Sequence, residues 1–141
     1  MHQGPQRVLF LCVANSARSQ MAEGIARQLA RGEVDVFSAG SEPTQVNPFA
    51  VRAMDRFGID IRAQHSKGLE AVPLDTVDTV ITLCDEEFCP ELGTGVECLH
   101  WPLPDPAAVE GSDEACVAAF EAVAVELERR ISDLFDAPVA R

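Results

Sequence analysis

Apolar runs along this chain have the length and composition of buried β-strands. Residues 7–12 form a nearly continuous apolar run, which predicts a central parallel strand covered on both faces. Further runs at residues 34–38, 77–83 and 96–101 predict three more strands, and the 77–83 run is rich in β-branched residues. The pattern therefore predicts four strands, each separated from the next by a longer stretch of chain.

The stretches between these strands carry the signs of helices. Apolar side chains recur at helical spacing over residues 19–31 and 113–135, and Pro48 and Gly58 bracket a helix predicted over residues 48–57. Strands that alternate with helices indicate right-handed crossovers and a parallel sheet. We therefore predict an α/β fold, a single doubly wound domain with a four-stranded parallel sheet and helices on both faces.

Length and composition agree with one domain over residues 1–141, of which 137–141 should be a flexible tail. No apolar run reaches the roughly 18 residues that span a bilayer, and the first run is too short for a signal peptide. We therefore expect a cytoplasmic protein that does not enter membranes and acts as a monomer.

The net charge of −12 disfavours nucleic acid or an anionic membrane surface as a partner. An anionic substrate would also be repelled on average. Any site for an oxyanion must therefore be local, and built from backbone N–H groups with one or two cations.

The loop from Cys12 to Ser19 meets this requirement. It joins the first strand to the first helix, so its N–H groups can curl around an anion while the helix N-terminus adds its positive end. Arg18 can offer two donors to a tetrahedral anion, and the same field should lower the pKa of Cys12. Asn15 can brace the loop, and Ser19 can hydrogen-bond the thiolate. The predicted oxyanion-binding residues are Val13, Ala14, Asn15, Ser16, Ala17, Arg18 and Ser19.

A cysteine and an arginine six positions apart are not specific by themselves, since Cys12 could be a buried strand residue and Arg18 a solvated one. Two more features support a site. Cys84 follows the third strand and Asp105 the fourth, and ligands of such sheets bind beyond the carboxyl ends of the strands. Asp105, held between two prolines, is a candidate general acid, although a turn aspartate is the plainer interpretation of that residue alone.

The motifs around these residues resemble those of arsenate reductases built on the low-molecular-weight tyrosine phosphatase fold. The resemblance covers nearly the whole chain in order. It rests on the segment from Cys12 to Gly24, Ser38-Ala39-Gly40, Thr82-Leu83-Cys84-Asp85, Cys89-Pro90, His100-Trp101 and Pro104-Asp105-Pro106.

The resemblance implies an enzyme that reduces arsenate to arsenite and also binds phosphate or sulfate as mimics of its substrate. Cys12 would attack the oxyanion, with Asp105 as the general acid. Cys84 would then attack the cysteine–arsenic adduct, and Cys89 would resolve the Cys12–Cys84 disulfide. No tightly bound cofactor is implied. The external reductant would be thioredoxin, or a small thiol with a glutaredoxin-type partner.

The resemblance also leaves a potassium ion open, since some family members bind one near the loop. Asn15, Glu23, Ser38 and Ser66 could contribute oxygens to it, and Lys67 could replace the cation.

Two other functions compete with arsenate reduction. One is a phosphatase acting on phosphotyrosine or a small phosphoester, which needs only one cysteine. However, Ala107 and Ala108 follow the acid where such phosphatases carry aromatic residues, and the chain contains no tyrosine. The other is a non-catalytic sensor of arsenicals or oxidants, which would not need Asp105. Cys98 and Cys116 are expected to be structural.

Overall fold

A computed structural model describes residues 5–84 and 95–136 of the chain. Within these ranges the α/β class is confirmed, with four parallel strands and three α-helices. The strands are β1 (Arg7–Cys12), β2 (Asp35–Gly40), β3 (Thr79–Thr82) and β4 (Glu97–His100). The helices are α1 (Arg18–Ala30), α2 (Pro48–Arg56) and α3 (Asp113–Phe135). The residues predicted to form the tail, 137–141, lie outside the described ranges.

The strand order is β2-β1-β3-β4, which places β1 inside the sheet. Leu9 of β1 lies between Phe37 on β2 and Val80 on β3. Because both neighbours and both faces cover β1, its residues from Val8 to Cys12 are buried. This burial explains why its sequence is continuously apolar instead of alternating.

The two faces of the sheet have different covers. All three α-helices pack on one face, where Phe10, Met21, Met54 and Phe120 belong to the same buried cluster. The described cover of the other face is the segment that holds two short 3₁₀ helices, Leu69–Ala71 and Leu74–Thr76, and it packs on residues including Leu9, Leu11 and Val80. None of the described helices is long and apolar enough to cross a membrane.

The helix ends follow local sequence signals. Asn47 caps α2 by accepting the N–H of Phe49 at 2.8 Å, and Ser112 caps α3 by accepting the N–H of Ala115 at 3.1 Å. α1 ends where Arg31 (φ 52°) and Gly32 (φ 83°) adopt left-handed conformations. The observed helices begin and end within one residue of the predicted bounds.

β2 continues further than its apolar run predicted, through Ala39 and Gly40. Gly40 pairs with Gly68, and its N–H donates to the carbonyl of Lys67 at 3.0 Å. This pairing partner is distant in sequence, so the local pattern did not reveal the extra length. The pairing places residues 67 and 68 beside the carboxyl ends of the strands.

Candidate active site

The chain leaves β1 in one direction to form β2 and returns on the other side to form β3. The carboxyl ends of β1 and β3 therefore flank the point where the strand order reverses, which is where α/β sheets bind ligands. Cys12 is the last residue of β1, and Cys84 follows β3 by two residues. The fold thus brings the two predicted thiols to the same edge.

The loop between β1 and α1 turns its carbonyl groups outward. Three of these carbonyls are held by N–H groups of the segment that follows β2: Val13 O by Glu42 N at 2.8 Å, Ala14 O by Thr44 N at 3.1 Å, and Ser16 O by Asn47 N at 2.9 Å. Within the described ranges, the backbone N–H groups of residues 14–17 donate to no carbonyl. Ala17 provides no side-chain cap for α1, and the first turn of that helix has no acidic residue. The loop and the helix N-terminus therefore offer donors to an anion.

Asn15 holds the loop in this shape. Its φ is 49°, a left-handed conformation that asparagine tolerates better than most residues, and the residue is fully buried. Its Nδ2 donates to the hydroxyls of Ser19 at 2.7 Å and Ser38 at 3.0 Å. The expected bracing role agrees with these bonds. The partner of the Ser19 hydroxyl among the described residues is Asn15, not the Cys12 thiol as the sequence suggested.

Two further residues support the loop and were not singled out from the sequence. Gln20, fully buried, donates from Nε2 to the carbonyl of Asn15 at 3.1 Å and to its Oδ1 at 2.9 Å. Gly40 lies directly behind the loop, where a Cβ would be 2.5 Å from the carbonyl oxygen of Val13 and 2.8 Å from the amide nitrogen of Asn15. Both residues belong to the motifs quoted above, but their contacts exist only once β2 and α1 have packed.

Arg18 is hydrogen-bonded at one edge of its guanidinium, and its other edge faces Asp105 without a described hydrogen bond. Its Nη1 donates to the carbonyl of Leu103 at 2.8 Å, and its Nη2 lies 3.9 Å from Oδ1 of Asp105. Its Nε is buried and finds no acceptor among the described residues. A buried donor normally has a partner. The Nε–Nη2 edge is therefore available for a bidentate bond to an oxyanion.

Cys12 and Cys84 are in direct contact. Both side chains are buried, and their Sγ atoms are 2.8 Å apart. Both residues are thiols, and their sulfurs share a hydrogen bond. Cys84 is thus within reach of Cys12 without any rearrangement of β3.

The pKa of Cys12 is raised, which is opposite to the expectation from the sequence. The hydrogen bond with Cys84 raises this pKa most, and burial of the thiol raises it further. The charge of Arg18 and the N–H of Val13 lower it but do not outweigh the first two causes. Cys12 is therefore held as a thiol in this arrangement, and breaking its contact with Cys84 removes the largest cause of the raised pKa.

Asp105 stands over the loop on an exposed turn. Its Oδ1 accepts the N–H of Ala107 at 3.0 Å, which fixes the carboxyl at the start of a short 3₁₀ helix, Pro106–Ala108. Half of the side chain is exposed, and it faces the Nη2 edge of Arg18. This position fits the predicted general acid.

The remaining cysteines of the chain are Cys89, Cys98 and Cys116. Cys89 lies outside the described residues, so its predicted role stays a prediction. Cys98 on β4 is disulfide-bonded, although the sequence suggested only a structural thiol. Cys116 on α3 is half-buried, with its Sγ 3.6 Å from the carbonyl of Val109.

The four residues considered for potassium lie together behind the loop. Ser38 donates to Oε1 of Glu23 at 2.5 Å, and Ser66 donates to the carbonyl of Asn15 at 2.6 Å. Lys67 lies among them, with its Nζ 3.5 Å from Glu23 Oε1 and 3.4 Å from Ser38 Oγ.

Comparison with known proteins gives the relationships of this chain. Residues 7–141 match the family model of the low-molecular-weight phosphotyrosine protein phosphatases. An arsenate reductase of Halalkalibacterium halodurans is 44% identical over 126 residues, which is 88% of this chain and 91% of that protein. A solved structure of an arsenate reductase in the phosphate-binding state has a TM-score of 0.80 at 36% identity, covering 94% of this chain and 98% of that one.

A thioredoxin-dependent arsenate reductase of Corynebacterium glutamicum has a TM-score of 0.67 at 28% identity, covering 93% of this chain and 64% of that one. The family model extends over most of the chain and includes the loop, Cys84 and Asp105, and the curated relative covers 88% of the chain. The chain therefore belongs to the low-molecular-weight phosphotyrosine protein phosphatase family, and arsenate reductases are among its curated relatives.

Proposed function

We propose that this protein reduces arsenate to arsenite, starting with attack of Cys12 on the bound oxyanion. The observation that carries the proposal is the 2.8 Å contact between the sulfurs of Cys12 and Cys84. A phosphatase needs one thiol, because water hydrolyses its cysteine–phosphate intermediate. A second thiol beside the first supplies electrons, which only a reduction requires.

In the first step arsenate enters the loop, where the N–H groups of residues 14–17 and the free edge of Arg18 bind its oxygens. The dianion displaces the Cys84 thiol from Cys12, which removes the main cause of the raised Cys12 pKa. The Cys12 proton passes to the arsenate dianion, and the resulting Cys12 thiolate forms a bond to arsenic. One arsenic–oxygen bond breaks, and the departing oxygen leaves as water after Asp105 protonates it.

In the second step the sulfur of Cys84 attacks the sulfur of Cys12, and the proton of the Cys84 thiol passes to the departing arsenite. The sulfur–arsenic bond breaks, and its electron pair stays on arsenic, which falls from the +5 to the +3 state. The products are arsenite and a Cys12–Cys84 disulfide, so two thiols have lost two electrons and arsenic has gained them.

In the third step we propose that Cys89 attacks Cys84, which regenerates the Cys12 thiol and forms a Cys84–Cys89 disulfide. Thioredoxin is the proposed external reductant, as the Corynebacterium glutamicum relative is named for thioredoxin dependence. A small thiol with a glutaredoxin-type protein is the alternative. We further propose a cytoplasmic location, where such reductants keep thiols reduced.

A phosphoester phosphatase is the second candidate, and one structural feature favours it. An apolar groove of about 290 Å³ lies beside Asp105, and it could hold the organic part of a phosphoester. It is lined by Leu103, Pro104, Pro106, Val109, Ala119, Ala122 and Val123, together with Asp105 and Glu126. The described residues that line it include no aromatic ring, so they offer no surface on which a phosphotyrosine could stack.

The proposal is tested by following NADPH loss with thioredoxin, thioredoxin reductase and arsenate. We expect multiple turnovers for the parent protein and none for Cys84→Ser. Cys89→Ser should form about one arsenite per protein and then stop, because the first disulfide is not resolved. Cys116→Ser, which removes a cysteine on α3, is the matched control and should behave as the parent.

Three results would count against the proposal. Full activity of Cys84→Ser would exclude the intramolecular relay. Rapid hydrolysis of p-nitrophenyl phosphate without arsenate reduction would identify a phosphatase. A Cys98→Ser variant that loses turnover while Cys89→Ser keeps it would transfer the resolving role to Cys98, which is disulfide-bonded in this structure.

A further inference from the structure

A buried carboxylate lies directly behind the oxyanion loop. Glu23 on α1 is 2% exposed, and its Oε1 accepts the Ser38 hydroxyl at 2.5 Å. A carboxylate this deeply buried is destabilised unless cations face it. On the solvent side Arg27, one turn later on α1, lies 2.7 Å from Oε2. On the side of the loop the only cation near Glu23 among the described residues is Lys67.

The ammonium group of Lys67 occupies a nest of oxygens. Its Nζ is 3.0 Å from the carbonyl of His65, 3.4 Å from the Ser38 hydroxyl and 3.5 Å from Glu23 Oε1. The side chain is only 15% exposed. A carbonyl, a hydroxyl and a carboxylate form the kind of oxygen set that would otherwise hold a hard monovalent cation.

The other oxygens that could complete a potassium site are already used. Oδ1 of Asn15 accepts the backbone N–H of Lys67 at 2.9 Å and Nε2 of Gln20 at 2.9 Å. The carbonyl of Asn15 accepts the Ser66 hydroxyl at 2.6 Å. A potassium ion would also meet the unit charge of the ammonium at close range. The residues present therefore do not fit potassium while Lys67 is in place.

We propose that Lys67 acts as a built-in cation, a positioning residue that makes the oxyanion loop independent of potassium. Its ammonium neutralises Glu23 and fixes Ser38. Ser38 in turn accepts Nδ2 of Asn15, and the backbone N–H of Lys67 holds the other end of the same amide. Asn15 then keeps its left-handed conformation, on which the inward direction of the loop N–H groups depends.

The inference rests on the proposed function only for its kinetic readout, because phosphate binding by the loop requires no turnover. The experiment is therefore calorimetric titration with inorganic phosphate at fixed ionic strength, in potassium chloride or in tetramethylammonium chloride, whose cation is too large for the site. The parent protein should bind phosphate equally, within about twofold, in both salts.

Lys67→Met keeps the length of the side chain and removes its charge. In tetramethylammonium chloride this variant should bind phosphate about tenfold more weakly, the size of effect seen when a group that orients a binding residue is lost. Potassium should restore most of the loss, because the vacated oxygens can now accept it. In Lys67→Met/Glu23→Gln potassium should restore nothing. Arg27→Met, which removes the other cation from the same carboxylate, should stay within about twofold of the parent in both salts.

Tighter phosphate binding by the parent in potassium chloride than in tetramethylammonium chloride would overturn the inference. Unchanged phosphate binding by Lys67→Met would also overturn it. If Lys67→Met does not fold, the potassium titration of the parent decides it. Arsenate turnover, measured in the same two salts, separates the proposals. Potassium-independent phosphate binding without arsenate reduction would contradict the proposed function but support the inference about Lys67.

Discussion

At the scale of single residues, the contact between Cys12 and Cys84 is the largest influence on the ionisation of Cys12, the proposed nucleophile. Since the hydrogen bond with Cys84 is the largest cause of the raised Cys12 pKa, Cys84→Ala should lower that pKa. A lower pKa means that thiolate forms at lower pH. The pH at which iodoacetamide alkylates Cys12 half-maximally, followed by mass spectrometry of the Cys12 peptide, should therefore shift downward. Cys116→Ala should leave this midpoint in place, and an upward shift in Cys84→Ala would contradict the assignment.

Asp105 allows a second test at this scale, because its proposed role as general acid can be separated from its effect on anion binding. Asp105→Asn retains an oxygen for the N–H of Ala107, so the turn should persist. It cannot donate the acidic proton, and single-turnover arsenite formation should fall by about 10²–10⁴-fold. Phosphate affinity should stay equal or improve, since a negative charge facing Arg18 is removed. A variant within threefold of the parent rate would show that another group protonates the leaving oxygen.

At the scale of elements, the end of β2 determines how closely the loop between β1 and α1 can pack against that strand. A Cβ on Gly40 would be 2.5 Å from Val13 O and 2.8 Å from both Asn15 N and Cys12 O, and backbone atoms cannot rotate away. Gly40→Ala should therefore displace the loop. Overpacking of this kind costs about 1–3 kcal/mol, and phosphate binding should weaken by roughly tenfold or more.

The matched control is Gly32→Ala at the end of α1. Gly32 has φ 83° but open space around its Cβ position, so the substitution strains the backbone without touching the loop. It should lower the melting temperature through a cost of about 1–2 kcal/mol and leave phosphate binding unchanged. Normal phosphate affinity in Gly40→Ala would show that β2 does not shape the loop.

The elements themselves were largely predictable, and the reason is local. The continuous apolar run of β1 and the helical spacing of apolar residues in α3 reflect which residues of each element are buried, so each pattern can be read from the element's own sequence. The extension of β2 through Gly40 and the 3₁₀ helices near residue 70 depend on segments distant in sequence, so the local pattern missed them. The candidate site likewise combines features that follow from consecutive residues with features that depend on distant ones.

The loop and Arg18 were predicted as an oxyanion site from consecutive residues, whereas the direction of the Cys12 pKa was predicted wrongly. That direction depends on the balance of Arg18 against burial and Cys84, and a sequence carries no distances. The position of Lys67 was left open for the same reason. Its ammonium reaches Glu23 only because the Gly40–Gly68 pairing draws that segment beside the loop.

At the scale of the whole molecule, a protein of net charge −12 is proposed to bind a doubly charged anion, and this contrast sets how salt should act on the binding. Long-range repulsion extends about 30 Å at 0.01 M salt and about 8 Å at 0.15 M. The attraction to Arg18 acts at contact, and its side chain is only 12% exposed, so salt screens it less.

Raising sodium chloride from about 0.01 to 0.15 M should therefore strengthen phosphate binding and lower the KM for arsenate. A site on a basic surface would lose affinity under the same change. Calorimetry across this range, with sulfate excluded as a competitor, measures whether phosphate affinity rises or falls with salt. Binding that weakens with salt would mean that the field of the whole chain does not reach the loop.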